Sequence, residues 1–179
     1  FGTRYHIIRL LGEGGMGAVY QAWDAELGVA VAMKVIRPPA GEDAARVEEL
    51  VRRFKRELLL SRQVTHPNVV RLLDNGHHGG VDFIAFELVP GGTLAQRLRE
   101  RGPLAWPDVV RLGGKLARAL EALHQAGLVH RDVKPANIHV SAAGKVKILD
   151  FGLARVAARE TITRRGVILG TPDYMAPEQ

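Results

Sequence analysis

The run His130-Arg131-Asp132-Val133-Lys134-Pro135-Ala136-Asn137, followed by Asp150-Phe151-Gly152, holds two acids and an amide spaced five and then thirteen residues apart. Flanking a short hairpin, they can converge on one point. Asp132 can accept a proton from an attacking hydroxyl. Asn137 and Asp150 supply hard oxygen ligands for magnesium, which bridges phosphate oxygens and offsets their charge. Lys134 can neutralise a transferring phosphoryl group. Taken singly, each acid reads better as a helix cap or a turn residue; the joint pattern does not.

Two further features point to the same chemistry. Leu11-Gly12-Glu13-Gly14-Gly15-Met16-Gly17-Ala18-Val19 spells G-x-G-x-x-G-x-V. Glycines at that spacing let backbone N–H groups approach phosphate oxygens with no Cβ in the way. Alone, the pattern also suits a plain glycine-rich β-turn. A dinucleotide-binding fold would need a helix directly after the last glycine, whereas Ala18 to Trp23 reads as a strand. Lys34 closes the apolar run Val-Ala-Met-Lys, and a lysine so placed needs a counter-charge. On a helix advancing about 100° per residue, Glu57 falls within about 20° of the Leu50 direction, at the edge of the buried face. A Lys34–Glu57 pair would satisfy both groups and aim the ammonium at a nucleotide phosphate; a surface acid is the other reading of Glu57.

The elements that must hold these residues follow from periodicity. Strands are expected at 5–11, 18–23 and 29–36, the third rich in β-branched residues. Pro38, Pro39 and Gly41 break the chain, and spacings of three and four then give a helix over about 43–63. Strands at 69–74 and 82–89 are joined across Gly76 to Gly80. After Pro90, Gly91 and Gly92 the chain turns helical: Thr93 caps a short helix ending before Gly102, and Pro107 opens a longer one. Val109, Leu112, Leu116, Leu120 and Leu123 line its apolar face up to Gly127. Residues 138–141 and 146–149 form a short hairpin. The tail beyond Leu149 reads as a long functional loop.

Composition narrows the classes. The 179 residues are 46% hydrophobic and 25% charged, as in ordinary globular proteins. The absence of cysteine excludes disulfides and thiolate metal sites and is compatible with an intracellular location. No apolar run reaches the roughly 18 residues a membrane helix needs, and no signal peptide opens the chain. The net charge of +6 comes from dispersed basic residues, which argues for a solvated surface and against nucleic acid. Without Met at position 1, the sequence is expected to begin inside a longer reading frame.

With LGEGGMGAV, VAMK, FKRE before HPNVV, HRDVKPAN, DFG and GTPDYMAPE in that order, the chain resembles, over essentially its whole length, the catalytic domain of a eukaryotic-like bacterial serine/threonine protein kinase. Lys134 and Thr171 resemble the serine/threonine branch. The resemblance implies an α+β, two-lobed fold: an ATP-binding N-lobe over 1–89, with a five-stranded antiparallel sheet and one helix, and a partial helical C-lobe over 90–179. It implies ATP and Mg²⁺ as cofactors and a non-specific serine/threonine protein kinase acting on protein hydroxyls. By resemblance Lys34 contacts the α- and β-phosphates and Glu57 orients it. The loop Leu11 to Gly17 covers the phosphates, Val19 and Ala32 cover the adenine, and the backbone from Glu87 to Val89 bonds its edge. Phe86 backs the pocket, Asp132 serves the acceptor hydroxyl, and Asn137 and Asp150 hold the metal. Arg131 is of the type that pairs with an activation-loop phosphate. The loop 150–178 contains no serine, so Thr163 and then Thr161 are the expected autophosphorylation sites, a reaction compatible with a homodimer.

Two departures stand out. His139 occupies a position where kinases place an aliphatic residue under the adenine; a neutral imidazole can stack there, while a protonated one is costly, which predicts weaker ATP binding at mildly acidic pH. The sequence also stops at Gln179, just after Ala-Pro-Glu, leaving Glu178 without its expected arginine. The complete gene product is expected to be active and cytoplasmic, with a downstream segment free to anchor it to the inner membrane. The 179-residue segment alone is expected to be weakly active or inactive. The competing readings are a non-catalytic pseudokinase or scaffold, a small-molecule kinase and a dinucleotide-dependent oxidoreductase.

Overall fold

Strict alternation along the third strand organises the sheet. In the computed structural model, which describes residues 1–14, 17–36, 52, 58–150 and 174, β3 (Val29–Ile36) buries Val31, Met33 and Val35 on one face and turns Ala32, Lys34 and Ile36 to the other. A period of two does this in any strand. β1 (Tyr5–Gly14) and β2 (Gly17–Asp24) form the hairpin expected around the glycines; Gly15 and Met16, at its tip, lie outside the described residues. β4 (Leu72–His78) and β5 (Val81–Glu87) complete an antiparallel sheet of five strands in the order β1-β2-β3-β5-β4. Of the helix expected over 43–63, residues 52 and 58–63 are described and helical, and the remainder lies outside the described residues.

The fourth strand differs from expectation at both ends. It starts at Leu72 and not Val69 because Val69 and Val70 are committed elsewhere: Val69 bridges Ile148 in parallel, and Val70 N–H donates to Ile148 O at 3.0 Å. It also runs through Gly76 to His78, so the turn is only Gly79-Gly80. Gly76 is a strand residue under an aromatic ring: a Cβ there would stand 2.7 Å from Phe83 Cζ. β5, in turn, ends at Glu87 and not Val89.

The second lobe opens with β6 (Gly92–Thr93), which pairs with β7 (Ile138–Val140), itself paired with β8 (Val146–Ile148). Helix α1 (Leu94–Arg101) starts on a reciprocal capping box, Thr93 Oγ1 accepting from Gln96 N–H and Gln96 Oε1 from Thr93 N–H, and ends at Gly102. Helix α2 (Trp106–Gln125) carries Pro107 in its first turn and buries Ala119 and Leu123. Val109, expected on its apolar face, is exposed. One hydrophobic cluster runs through both lobes, joining Leu58, Ile84 and Phe86 to Leu123, Leu128 and Ile148. No helix among the described residues is long and apolar enough to cross a membrane.

A second cluster, on the far face of the sheet, holds Tyr5, Val31, Met33 and Phe83. Its edge is closed by charge. The Arg4 guanidinium grips Asp24 with two bonds of 2.8 and 3.0 Å and reaches Asp74 at 2.9 Å, where Tyr5 O–H also donates. Asp24 is fully buried and also accepts the N–H groups of Glu26 and Leu27. The bond to Arg4, aided by those amides, outweighs burial and holds the Asp24 carboxyl down at about 2. A carboxyl lowered in the folded state stabilises fully above its unfolded pKa, and that stability is lost as pH falls through the folded one. Acid unfolding of the wild type between about pH 4 and 2 therefore takes up a proton at Asp24. Arg4→Met should unfold at a higher pH in a circular-dichroism acid titration, with a smaller proton uptake, and an unchanged acid midpoint would refute the assignment.

Candidate active site

Between the sheet and the three-stranded unit lies a cavity of about 710 Å³, within the range of small-molecule sites. Strand register builds its roof. Val19 sits opposite Lys34 across β2 and β3, and Ala32 opposite Phe86 across β3 and β5, so these side chains share the face away from the outer core. Leu11 and Gly12 of β1 complete the roof. The segment from Glu87 to Val89 forms the back edge, and Ala136, His139, Leu149 and Asp150 form the floor. Glu13 and Gly14 lie on β1 outside the cavity wall.

The glycines of the hairpin do different work. Gly17 has φ 134°, and a Cβ on it would lie 1.9 Å from Val35 O, so only glycine lets the hairpin fold back over β3. Around Gly12 nothing stands within 4 Å of a built Cβ, so its bareness serves open space above the cavity rather than packing.

The residues expected to carry the chemistry are in contact with one another in two sets. Lys34 Nζ contacts Asp150 Oδ1 at 2.6 Å, from opposite lobes. Asn137 donates both amide hydrogens to Asp132, at 2.8 Å to its backbone oxygen and 2.8 Å to Oδ2. Lys134 Nζ contacts the same Oδ2 at 2.9 Å. Leu149 N–H donates to Asn137 O at 2.8 Å, which places the residue before Asp150 against the second pair. Asp132, Lys134 and Asn137 stand beside the cavity, not in its wall. The expected Lys34–Glu57 pair lies outside the described residues, as do Thr161, Thr163, Thr171 and Glu178.

His130, which the sequence reading left without a role, ties the site together. Buried, it donates from Nε2 to Leu149 O at 2.9 Å and accepts the Asp132 N–H on Nδ1 at 3.3 Å. Burial lowers its pKa, which keeps this neutral tautomer. The backbone is left-handed at Arg131 (φ 62°) and Asp150 (φ 55°), unusual for non-glycine residues and common at functional sites. The cavity wall also contains Arg9, bonded to Gln21 at 2.8 Å, together with Thr93 and Gln96; only strand register and the capping box reveal them.

The donor set suits a hard cation. Asn137 spends both its N–H groups on Asp132, leaving Oδ1 as a neutral oxygen ligand, and Asp150 keeps Oδ2. Magnesium takes few protein ligands and completes its shell with phosphates and water.

A family model described as the protein kinase domain matches residues 5–179. The chain belongs to the protein kinase family. Among curated relatives, a probable serine/threonine-protein kinase of Clostridium perfringens, CPE1738, is 39% identical over 178 residues, covering 99% of this chain and 25% of that protein. The serine/threonine-protein kinase PrkC of Bacillus subtilis is 38% identical over 98% of the chain and 26% of its own length. For PknA of Mycobacterium tuberculosis the figures are 38%, 98% and 41%. The chain thus spans between a quarter and two-fifths of the length of these kinases.

In this kinase domain the hairpin geometry gives a differential test. Gly17→Ala should lower stability by about 1–3 kcal/mol, from backbone strain, and weaken nucleotide binding. Gly12→Ala should stay within about 0.5 kcal/mol of wild type. Thermal melts and ATP titrations of both variants would check this; equal effects would show that the two glycines are not distinguished by packing.

Proposed function

We propose that the protein transfers the γ-phosphoryl group of ATP to serine and threonine hydroxyls of proteins. The observation carrying this reading is the pairwise contact of Lys34 with Asp150 and of Asp132 with Lys134 and Asn137, the two sets joined through Leu149. ATP lies with its base under Val19 and Ala32, against Phe86 and the backbone from Glu87 to Val89, and with its triphosphate below the glycine hairpin. Lys34 leaves Asp150 for the α- and β-phosphates, oriented by Glu57. Asn137 and Asp150 hold Mg²⁺, which when bound offsets phosphate charge. Asp132 orients the acceptor hydroxyl and takes its proton as the new O–P bond forms; the bond from the γ-phosphorus to the β,γ-bridging oxygen breaks and ADP leaves. Lys134 balances the charge on the group in flight.

On this reading residues 1–89 are the ATP-binding lobe and 90–179 carry the catalytic loop and activation segment. The domain works on the cytoplasmic side, where ATP is. Thr163, then Thr161, takes a phosphate from another copy, and Arg131 receives it. Incubating the protein, in its full reading frame, with γ-labelled ATP and a protein acceptor should label serine or threonine. Asp132→Asn should lower the rate by about 10²–10⁴-fold through loss of the general base. Wild-type protein that binds ATP but labels nothing would instead support a non-catalytic nucleotide-binding module.

A further inference from the structure

The linker between the lobes is held at both ends. At its far end Gly91, with φ 115°, passes so close over β7 that a Cβ there would stand 2.6 Å from Val140 O. At its near end stands Glu87, the last residue of β5 and part of the back edge of the cavity. Glu87 N–H donates to Arg71 O at 3.0 Å, and Glu87 Oε1 accepts the Arg71 N–H at 2.7 Å. The same carboxylate oxygen receives Lys147 Nζ, which also donates to Val69 O at 3.1 Å.

The period of β8 explains where this ammonium points. Val146 and Ile148 are buried, and Lys147, one step out of phase, turns to the opposite face of the strand. Its side chain is 18% exposed and that of Glu87 32%, so both groups are largely withdrawn from water. Hydrogen bonds between charged partners are stronger than neutral ones. One side chain of the second lobe therefore ties down the residue at which the linker begins. Lys147 is not in the cavity wall. Its ammonium also takes no part in the bonds of Asn68 and Val70 to Val146 and Ile148, which set the course of the chain toward Asp150.

We propose that Lys147 is a positioning residue of the nucleotide site: through Glu87 it holds the backbone of 87–89 in the arrangement that receives the edge of the base. The inference rests on the kinase reading. An untied linker samples other arrangements, and apparent affinity falls with the fraction that remains competent. Loss of one such tie predicts binding about 3–10-fold weaker.

The test compares wild type, Lys147→Met and Lys147→Arg in the full reading frame. Calorimetry measures binding of ATP, adenosine and tripolyphosphate with Mg²⁺, and steady-state kinetics give KM for ATP and kcat. Lys147→Met should bind ATP and adenosine more weakly by the same factor of about 3–10, with tripolyphosphate binding and kcat unchanged. Lys147→Arg, whose guanidinium reaches the same acceptors, should behave as wild type. Glu87→Gln, which keeps an acceptor for the Arg71 N–H and removes the charge facing Lys147, should shift adenosine binding in the same direction; it decides the matter if melting curves show Lys147→Met unfolded. Unchanged adenosine affinity in the variants that lack the charge pair would overturn the inference. So would a loss shared by tripolyphosphate or kcat, which marks general damage to the fold, or an Arg variant as weak as the Met one. Wild type that binds no ATP would sink the kinase reading itself, whereas ATP binding indifferent to Lys147 sinks only the role of this residue.

Discussion

Everything in the site depends on a short ladder between the two lobes. Ile148 N–H donates to Asn68 O, Val70 N–H to Ile148 O, and the Asn68 amide to Val146 O, so the segment leaving the N-lobe helix lies as a partial fourth strand along β8. Lys147, between these residues, contacts both Val69 O and Glu87 Oε1, and Glu87 also accepts the Arg71 N–H. Because β8 leads through Leu149 directly to Asp150, the ladder fixes where Asp150 emerges relative to the sheet. The Lys34–Asp150 contact across the cleft follows from that register, and Val69, Val70 and Ile148 bury their side chains in the cluster that spans the lobes.

Charge is arranged on this frame so that the two lysines at the site, Lys34 and Lys134, each have a carboxylate partner. Lys34 sits low in the cleft with Asp150, and Lys134 with Asp132. A charge left unpaired in a low-dielectric cleft is costly, and each carboxylate offsets that cost while holding its lysine in place. Under the proposed function, a triphosphate would exchange one set of oxygens for another around Lys34, with little reorganisation. Preorganised charge of this kind is where enzymes find much of their transition-state stabilisation. The outer face of the sheet uses the same device for stability: Arg4 neutralises Asp24 beneath the first hairpin.

Much of this was legible in the sequence, and the reasons are local. The alternation of Val31, Met33 and Val35 announces a strand with Lys34 on its other face. The glycine spacing announces a hairpin, and Pro107 a helix start. What stayed hidden is non-local. Nothing in Val69-Val70 tells that these β-formers pair with Ile148 rather than extend β4, because the competing partner is 79 residues away from Val69. Gly76 looks like turn punctuation until Phe83 is seen to cover it. Arg4 and Asp24 are unremarkable charges in sequence, and the pair, with Asp24 buried and Arg4 partly exposed, forms through the register of β1 on β2. Val109 fits the apolar period of α2 yet faces outward, since period specifies a face and not its neighbours.

The two strained backbone positions show how the site is held once built. Left-handed conformations at non-glycine residues cost on the order of 1–3 kcal/mol each unless the surroundings impose them. Arg131 lies between His130 and Asp132, whose N–H donates back to His130 Nδ1; Asp150 follows Leu149, whose carbonyl accepts from His130 Nε2. A single imidazole therefore braces both turns and the two carboxylates they present. That double role needs one nitrogen as acceptor and the other as donor, which only the neutral ring provides. Burial, by lowering the pKa of His130 against the pull of both nearby carboxylates, secures that form. A phenylalanine would fill the same space and brace neither turn; a surface histidine would titrate and lose the bond to Asp132. The identity of the residue before Arg131 and Asp132 is thus set by the hydrogen bonds it makes.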